Sequence, residues 1–177
     1  LAALAFTLRD LGRLDEALVA ARRAVAIREK ALGPDHELLA RSLDMLGELE
    51  GARGHLAIAC AAFARSVAIF EKAHGPSFPD LVSPLTGVAE CALRDGKIQE
   101  AIDMTERAAA LGVSSGKDPR AAAGARRVLA RALWAKGERE RAVVEAHAAR
   151  DAYAAGAPVD RPQAAEIDAW LESVGAR

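Results

Sequence analysis

Apolar and small residues recur along this chain at steps of three and four, the spacing of one face of an α-helix. Glycines interrupt the pattern at regular intervals, and in two places a proline follows directly. The inner faces of the helices consist largely of alanine and leucine. The pattern predicts an all-α protein with helices at about 1–11, 15–32, 36–52, 56–73, 80–94, 98–111, 119–135, 139–155 and 163–174.

The sequence repeats with a period of about 42 residues. Two sets of small residues keep this spacing, namely Gly12, Gly54, Gly96 and Gly137, and Ala17, Ala59, Ala101 and Ala142. Such a period indicates a stacked array of helix pairs, because each pair buries only one face alone. We predict a right-handed α-solenoid of four repeats and a C-terminal capping segment, at about 1–34, 35–76, 77–118, 119–156 and 157–177.

Turn and cap signals divide the predicted helices. Gly33 can cap the end of one helix, Pro34 prevents its continuation, and Asp35 can cap the next helix. Gly47 inside a helix costs about 1 kcal/mol relative to alanine, so we expect another helix to cross there. We expect 112–119 to be the most flexible connection.

The inner stripes of the second helices include aliphatic side chains. We place Ile27 or Arg28 on the inner stripe of one helix and Ile58 on that of the next. The last helix has a single apolar face with Ile167, Trp170 and Leu171, which predicts a helix that covers the end of the last repeat.

Charge and composition exclude several classes of partner. The chain has 24 basic and 25 acidic residues, which argues against a nucleic-acid or anionic membrane surface. No apolar run approaches the length of about 20 residues that a membrane span needs, and no signal peptide is visible in these residues. The chain begins within a helical pattern and without methionine, so we interpret it as a piece of a longer protein.

Catalysis is not expected from this sequence. The four histidines form no metal-binding motif, and no nucleophile elbow, P-loop or dinucleotide fingerprint is present. Cys60 and Cys91 have no metal spacing and form no disulfide framework, so we expect small buried free thiols and a cytoplasmic location. We expect neither a metal nor another cofactor.

The repeat resembles the tetratricopeptide repeat. That family places a large residue beside a small one in the first helix and an alanine early in the second. The large and small pairs here are Leu4-Ala5, Leu46-Gly47, Val88-Ala89 and Leu129-Ala130. The 42-residue length and the segment RRAVAIREKALGPDH resemble the kinesin light chain variety, which also occurs in bacterial proteins. Glu50 and Ala92 depart from the family, which commonly has a large residue there, and Arg126 stands where the other repeats have leucine.

The resemblance implies a non-catalytic scaffold that binds a protein or peptide in a concave groove formed by the first helices. The middle of that groove would be acidic through Asp44, Glu48 and Glu90, and its C-terminal end would be basic. A complementary partner would have basic residues over Glu48 and Glu90 and an acidic end near Arg127 and Arg131. Trp134 would either anchor a ligand or pack beside Trp170. The candidate groove residues are Phe6, Arg9, Arg41, Asp44, Glu48, Thr86, Glu90, Arg127, Arg131 and Trp134, with Ala2 and Ser83 on the same face.

Two other functions are compatible with the same repeats. The chain could self-associate through an open N-terminal end, where Leu1, Leu4 and Leu8 have no covering helix. It could also be an autoregulatory segment of a larger signalling protein such as a kinase. The sequence lacks the Lys/Asn carboxylate clamp of chaperone-binding relatives and the asparagine pairs of kinesin light chains, so neither of those ligands is implied.

Overall fold

The computed structural model describes residues 1–115, 119–156 and 160–175, and within these ranges the chain forms helices and no strand. A short 3-10 turn, Pro79–Leu81, precedes the fifth helix. All the predicted helices are present, with ends that differ by a few residues. They are α1 Ala2–Asp10, α2 Leu14–Leu32, α3 Glu37–Ala52, α4 Leu56–His74, α5 Val82–Arg94, α6 Ile98–Ser115, α7 Pro119–Lys136, α8 Arg139–Ala154 and α9 Arg161–Ser173.

The chain divides into two compact units, Leu1–Val88 and Ala89–Arg177. In the first unit, α1 packs against α2, α2 against α3, and α3 against α4. In the second unit, α6 packs against α7, α7 against α8, and α8 against α9. Within each unit, helices that follow one another in sequence are therefore neighbours in space. Across the ranges that the structure covers, no helix is both long and apolar enough to cross a membrane.

The glycines that mark the repeat period lie in the turns between helices. Gly54, in the turn between α3 and α4, has a φ of 80°, which is the left-handed region that glycine adopts without a steric penalty. The other three period-marking glycines also have positive φ. The repeat period therefore marks turns that need a left-handed backbone conformation, as well as positions where helices pack closely.

Phe63 of α4 occupies a slot that two glycines create in the first unit. An alanine Cβ at Gly47 of α3 would lie 2.6 Å from the Phe63 ring, and one at Gly87 of α5 would lie 2.5 Å from it. Phe63 itself is only 7% exposed. The expected helix crossing at Gly47 is therefore present, and Gly87 completes the slot.

Glu50 is a charged residue inside the first unit, with no exposed side-chain surface. Its carboxylate accepts a hydrogen bond from Arg22 of α2 at 2.9 Å and lies 2.8 Å from His55 Nδ1. Burial alone would raise the pKa of Glu50, but the bonds with His55 and Arg22 outweigh it and leave the pKa below its usual value. Ionised Glu50 therefore stabilises the fold at pH values above the usual pKa of a glutamate. This stabilisation is lost as the pH falls through the lowered pKa of the folded state.

Alanine dominates the core of the second unit. Ala89, Ala101, Ala132 and Ala142 are completely buried and pack with larger residues such as Leu133. Ala92 belongs to the same cluster, so this departure from the family is accommodated by close helix packing.

Helix α6 is longer than predicted and continues through Gly112 to Ser115. Gly112 lies within this helix, and α7 passes so close to it that an added Cβ would lie 2.8 Å from the Cβ of Ala122. Residues 112–115 are therefore helical, and not part of a flexible connection. The part of the predicted flexible connection at 116–118 lies outside the described residues. The same holds for 157–159 of the predicted linker.

Ile27 and Ile58 are not on the inner stripes, since each is 48% exposed. At 100° per residue, Arg28 continues the stripe of Ala17, Ala21 and Ala24 better than Ile27 does. Arg28 accordingly donates hydrogen bonds of 2.7 Å to the carbonyl of Leu38 and to Ser42 Oγ.

Two further expectations are wrong in detail. His36, not Asp35, caps α3, because the helix begins at Glu37 and His36 Nδ1 accepts the amide hydrogen of Leu38 at 3.1 Å. Asp35 instead pairs with Lys72 Nζ at 2.5 Å. Cys60 and Cys91 are half-buried, not buried, and neither is a free thiol.

Candidate functional site

In the first unit, polar side chains from three odd-numbered helices contact one another. Arg9 of α1 donates to Glu48 Oε2 of α3 at 2.5 Å. The hydroxyl of Ser83, in the first turn of α5, lies 3.2 Å from Glu48 Oε1 and 3.1 Å from Asp44 Oδ1. Three of the predicted site residues, Arg9, Asp44 and Glu48, are therefore brought together with Ser83.

Asp80 extends this network and was not among the predicted site residues. It lies in the 3-10 turn before α5 and forms an ion pair with Arg41 of α3. The Arg41 guanidinium also lies 6.0 Å from the ring centre of Phe70. The only signal for Asp80 in the sequence is its position one turn before Ser83, which helical spacing alone does not single out.

Asp44 is the carboxylate of this network that is least compensated by positive charge. Burial raises the pKa of Asp44 well above its usual value, and repulsion from Glu48 and Asp80 adds to this effect. A hydrogen bond from Ser83 and the charge of Arg9 act in the opposite direction without cancelling it. A cation near Asp44 would favour the ionised form of its carboxyl group and lower this pKa.

Phe6 and Thr86 lie beside the network but differ in what they can offer a ligand. Phe6 is 49% exposed, and the Arg9 guanidinium lies 4.2 Å from its ring centre in a cation–π contact. Thr86 donates its hydroxyl hydrogen to the carbonyl of Val82 at 2.7 Å, so its own helix uses that hydrogen. Phe6 is the better candidate for an apolar contact with a ligand.

In the second unit, Glu90 and Arg127 form an ion pair. Arg127 Nη2 lies 2.6 Å from Glu90 Oε1, and Arg127 Nη1 lies 3.6 Å from Glu166 of α9. Glu90, which we expected to contribute negative charge to a ligand site, thus has a cation of its own chain beside it.

A pocket of about 140 Å³ lies between α7, α8 and α9 in the second unit. Its apolar walls are Ala130, Ala146, Ile167 and Trp170, and its charged side chains are Arg127, Arg131 and Glu166. Arg131 is exposed, and within the described part of the chain it has no ion-pair partner. The pocket therefore combines apolar walls with one available guanidinium.

Trp134 packs against the final helix. Its ring meets that of Trp170 edge to face, with centres 5.8 Å apart, and the Arg139 guanidinium lies 4.7 Å from its ring centre. Of the two alternatives for Trp134, packing beside Trp170 is the one that the structure shows. Trp170, unlike Trp134, contributes directly to the pocket wall.

The arrangement is suited to binding charged and apolar groups. In the ranges 1–115, 119–156 and 160–175, no three His, Cys, Asp or Glu side chains are placed to hold a metal ion. Three histidines have structural contacts, since His36 caps α3, His55 contacts Glu50, and His74 stacks on Phe78 with ring centres 4.1 Å apart.

Comparison with known proteins finds a family match for the first part of the chain. A family model described as tetratricopeptide repeat matches residues 1–72. No curated protein matches the chain.

Solved structures resemble a larger part of the chain. BtubC (BKLC) from P. vanneervenii is 18% identical with a TM-score of 0.71, and the match covers 87% of this chain and 62% of that one. A putative kinesin light chain with nearly identical TPR-like repeats from Podosopora anserina is 22% identical with a TM-score of 0.68, over 97% of this chain and 87% of that one. This likeness shows the fold, and the predicted all-α solenoid is confirmed.

Proposed function

We propose that the chain is a non-catalytic module that binds a peptide or protein segment, because residues 1–72 match a family model described as tetratricopeptide repeat. The family is generally a scaffold for protein–protein interaction. The segment would lie on the faces of the odd-numbered helices that the sequence predicts to line a groove. The four repeats at about 1–34, 35–76, 77–118 and 119–156, with a capping segment at 157–177, are part of this proposal.

The observation that carries the proposal is the network of Arg9, Asp44, Glu48 and Ser83. It spans α1, α3 and the start of α5, and the Arg9 and Glu48 side chains are only 30% and 35% exposed. Charged side chains that are held in place by one another lose less conformational entropy when a ligand binds. The network is thus a preorganised polar surface.

The charge of this surface favours a basic residue in the partner. The acidic groups of Asp44, Glu48 and Asp80 outnumber the guanidinium groups of Arg9 and Arg41, and a basic group of the partner would favour the ionised form of Asp44. We expected basic partner residues over Glu48 and Glu90, but each of these has an arginine beside it. Asp44 is therefore the better acceptor, and such charge complementarity mainly sets orientation and association rate.

A peptide array tests this proposal. Labelled protein is applied to capped 12-residue peptides of varied charge, at low salt, alongside the variants Asp44→Asn and Asp103→Asn. We expect the wild type to select peptides that contain Lys or Arg. Asp44→Asn should weaken their binding on the order of five-fold, which corresponds to about 1 kcal/mol. Asp103 is exposed on α6, so its variant should bind like the wild type.

Two results of the array would contradict the proposal. One is the absence of any bound peptide above background, which would remove the binding function itself. The other is an unchanged preference for basic peptides in Asp44→Asn, which would remove the assigned surface.

Self-association is the alternative that a specific observation favours. Of the three leucines expected to be uncovered, Leu1 and Leu4 are 47% and 50% exposed, whereas Leu8 is only 7% exposed and packs in the core. Together with Leu11, which is 65% exposed, Leu1 and Leu4 give the α1 region an apolar surface. Light scattering of the isolated chain distinguishes the alternatives, because a monomer at micromolar concentration would exclude self-association as the main function.

The proposed cytoplasmic location has lost part of its support. It rested on two free thiols, whereas neither Cys60 nor Cys91 is free. Because disulfides persist mainly in oxidising compartments, a disulfide at these cysteines in the purified protein would argue against a cytoplasmic location.

A further inference from the structure

Helix α9 covers the last repeat but does not fill the space beside α7. Its buried residues Ala164, Ile167 and Leu171 pack in a cluster with Ala149 and Tyr153 of α8. Next to this contact lies the pocket of about 140 Å³, with Ile167 and Trp170 on its α9 side. The pocket is partly open to solvent, so the cap leaves a space that a ligand can enter.

The two arginines of the pocket are in different electrostatic situations. Arg127 faces Glu90 at 2.6 Å and Glu166 at 3.6 Å, so its charge is already compensated. Arg131, one helical turn later on α7, has no ion-pair partner in the part of the chain that the structure describes. The pocket therefore presents one guanidinium group that no described carboxylate engages, and it belongs to Arg131.

The pocket has the size and chemistry for one short stretch of polypeptide. A cavity of about 150 Å³ can hold a ligand the size of benzene, so this pocket can hold one apolar side chain. Arginine binds a carboxylate through two parallel hydrogen bonds, and apolar surroundings strengthen that interaction. A basic side chain would instead be repelled by Arg131.

We propose that this pocket binds an acidic residue of the partner segment, with its carboxylate on Arg131 and an adjacent apolar side chain against Ile167 and Trp170. Helix α9 is then one wall of the binding site as well as a cap. This inference rests on the proposed peptide-binding function and specifies which chemistry the second unit recognises.

Tryptophan fluorescence provides a direct measurement, because the two tryptophans of the chain are Trp134 and Trp170 and their rings are in contact. The probes are two peptides with acetylated and amidated ends, Gly-Leu-Glu-Leu-Gly and Gly-Leu-Gln-Leu-Gly. They differ only by a carboxylate in place of an amide, and neither carries a terminal carboxylate. We expect a saturable fluorescence change with the glutamate peptide and at least about five-fold weaker binding of the glutamine peptide.

Two protein variants locate the effect. Arg131→Gln should weaken binding of the glutamate peptide by about five-fold or more and leave that of the glutamine peptide unchanged. Arg23→Gln removes an exposed arginine from α2 of the first unit and should bind like the wild type. Because Arg131 is exposed, we expect Arg131→Gln to melt at the wild-type temperature.

Equal binding of the two peptides, no fluorescence change with either, or unchanged binding by Arg131→Gln would each overturn the inference. The peptide pair tests it on the wild-type protein alone, so the test does not depend on the folding of a variant. Failure of the general binding function is a separate result, because it would leave the peptide array without any bound peptide.

Discussion

Replacing Ala101 by glutamate is expected to lower the free energy of unfolding by about 4 kcal/mol. Ala101 is completely buried in α6, where it packs in a cluster that includes Ala89, Leu129 and Leu133. The larger side chain would force neighbouring helices apart, and its carboxylate would lose its hydration in an apolar cluster. Chemical denaturation followed by circular dichroism measures the loss.

The matched control is Ala110→Glu on the same helix. Ala110 is exposed, so the same added charge should change the free energy of unfolding by no more than about 0.5 kcal/mol. Equal losses in the two variants would show that charge on α6, and not close packing of the helices at Ala101, determines stability.

Substituting Gly47 by alanine is expected to destabilise the protein by about 2 kcal/mol, although alanine is the better helix former by about 1 kcal/mol. The added Cβ would lie 2.6 Å from the Phe63 ring, which is itself confined between Gly47 and Gly87. The sign of the effect should reverse once the ring is gone. In a Phe63→Ala background, Gly47→Ala should stabilise by up to about 1 kcal/mol.

Gly51→Ala provides the control, because a Cβ at Gly51 of α3 would make an ordinary contact of 3.8 Å with Ala59. It should be neutral or stabilising in both backgrounds. If Gly47→Ala destabilised the protein equally with and without Phe63, the slot would not be the reason for the glycine. Denaturation of the four proteins of the Gly47 and Phe63 cycle gives the interaction free energy directly.

The architecture was predictable because small residues mark both turns and close helix contacts. The turn glycines require positive φ, and the repeated alanines are buried, so both leave a regular signal in the sequence. The edges of the buried stripes were less predictable. Ile27 and Ile58 are apolar, but each lies one residue away from the inner stripe of its helix. Consecutive residues of a helix point in different directions, so these two side chains are exposed to solvent.

Glu50 shows why buried polar groups escape sequence reasoning. Its partners are Arg22 and His55, which lie on different elements, and only the fold brings them together. The contacts within the candidate site also could not be predicted from the sequence. Helical spacing placed Asp44 and Glu48 on one face, but the pairing of Glu48 with Arg9 depends on the distance between helices.

The pocket in the second unit had only partial signals in the sequence. Arg127 and Arg131 were identified from their position on one helix face, and Trp170 was identified as part of a cap. That α9 leaves a space beside these arginines depends on side-chain packing, which periodicity does not report. The state of Cys60 and Cys91 was likewise not apparent from their spacing.

A crosslinking map tests most directly whether the odd-numbered helices form the binding face. A peptide selected on the array is resynthesised with a photoreactive side chain, bound to the wild-type protein and irradiated, and the crosslinked residues are identified by mass spectrometry. We predict crosslinks on α1, α3, α5 and α7, near residues such as Phe6 and Arg41, and on α9 near Trp170. Crosslinks confined to α2, α4, α6 and α8 would contradict the proposed binding face.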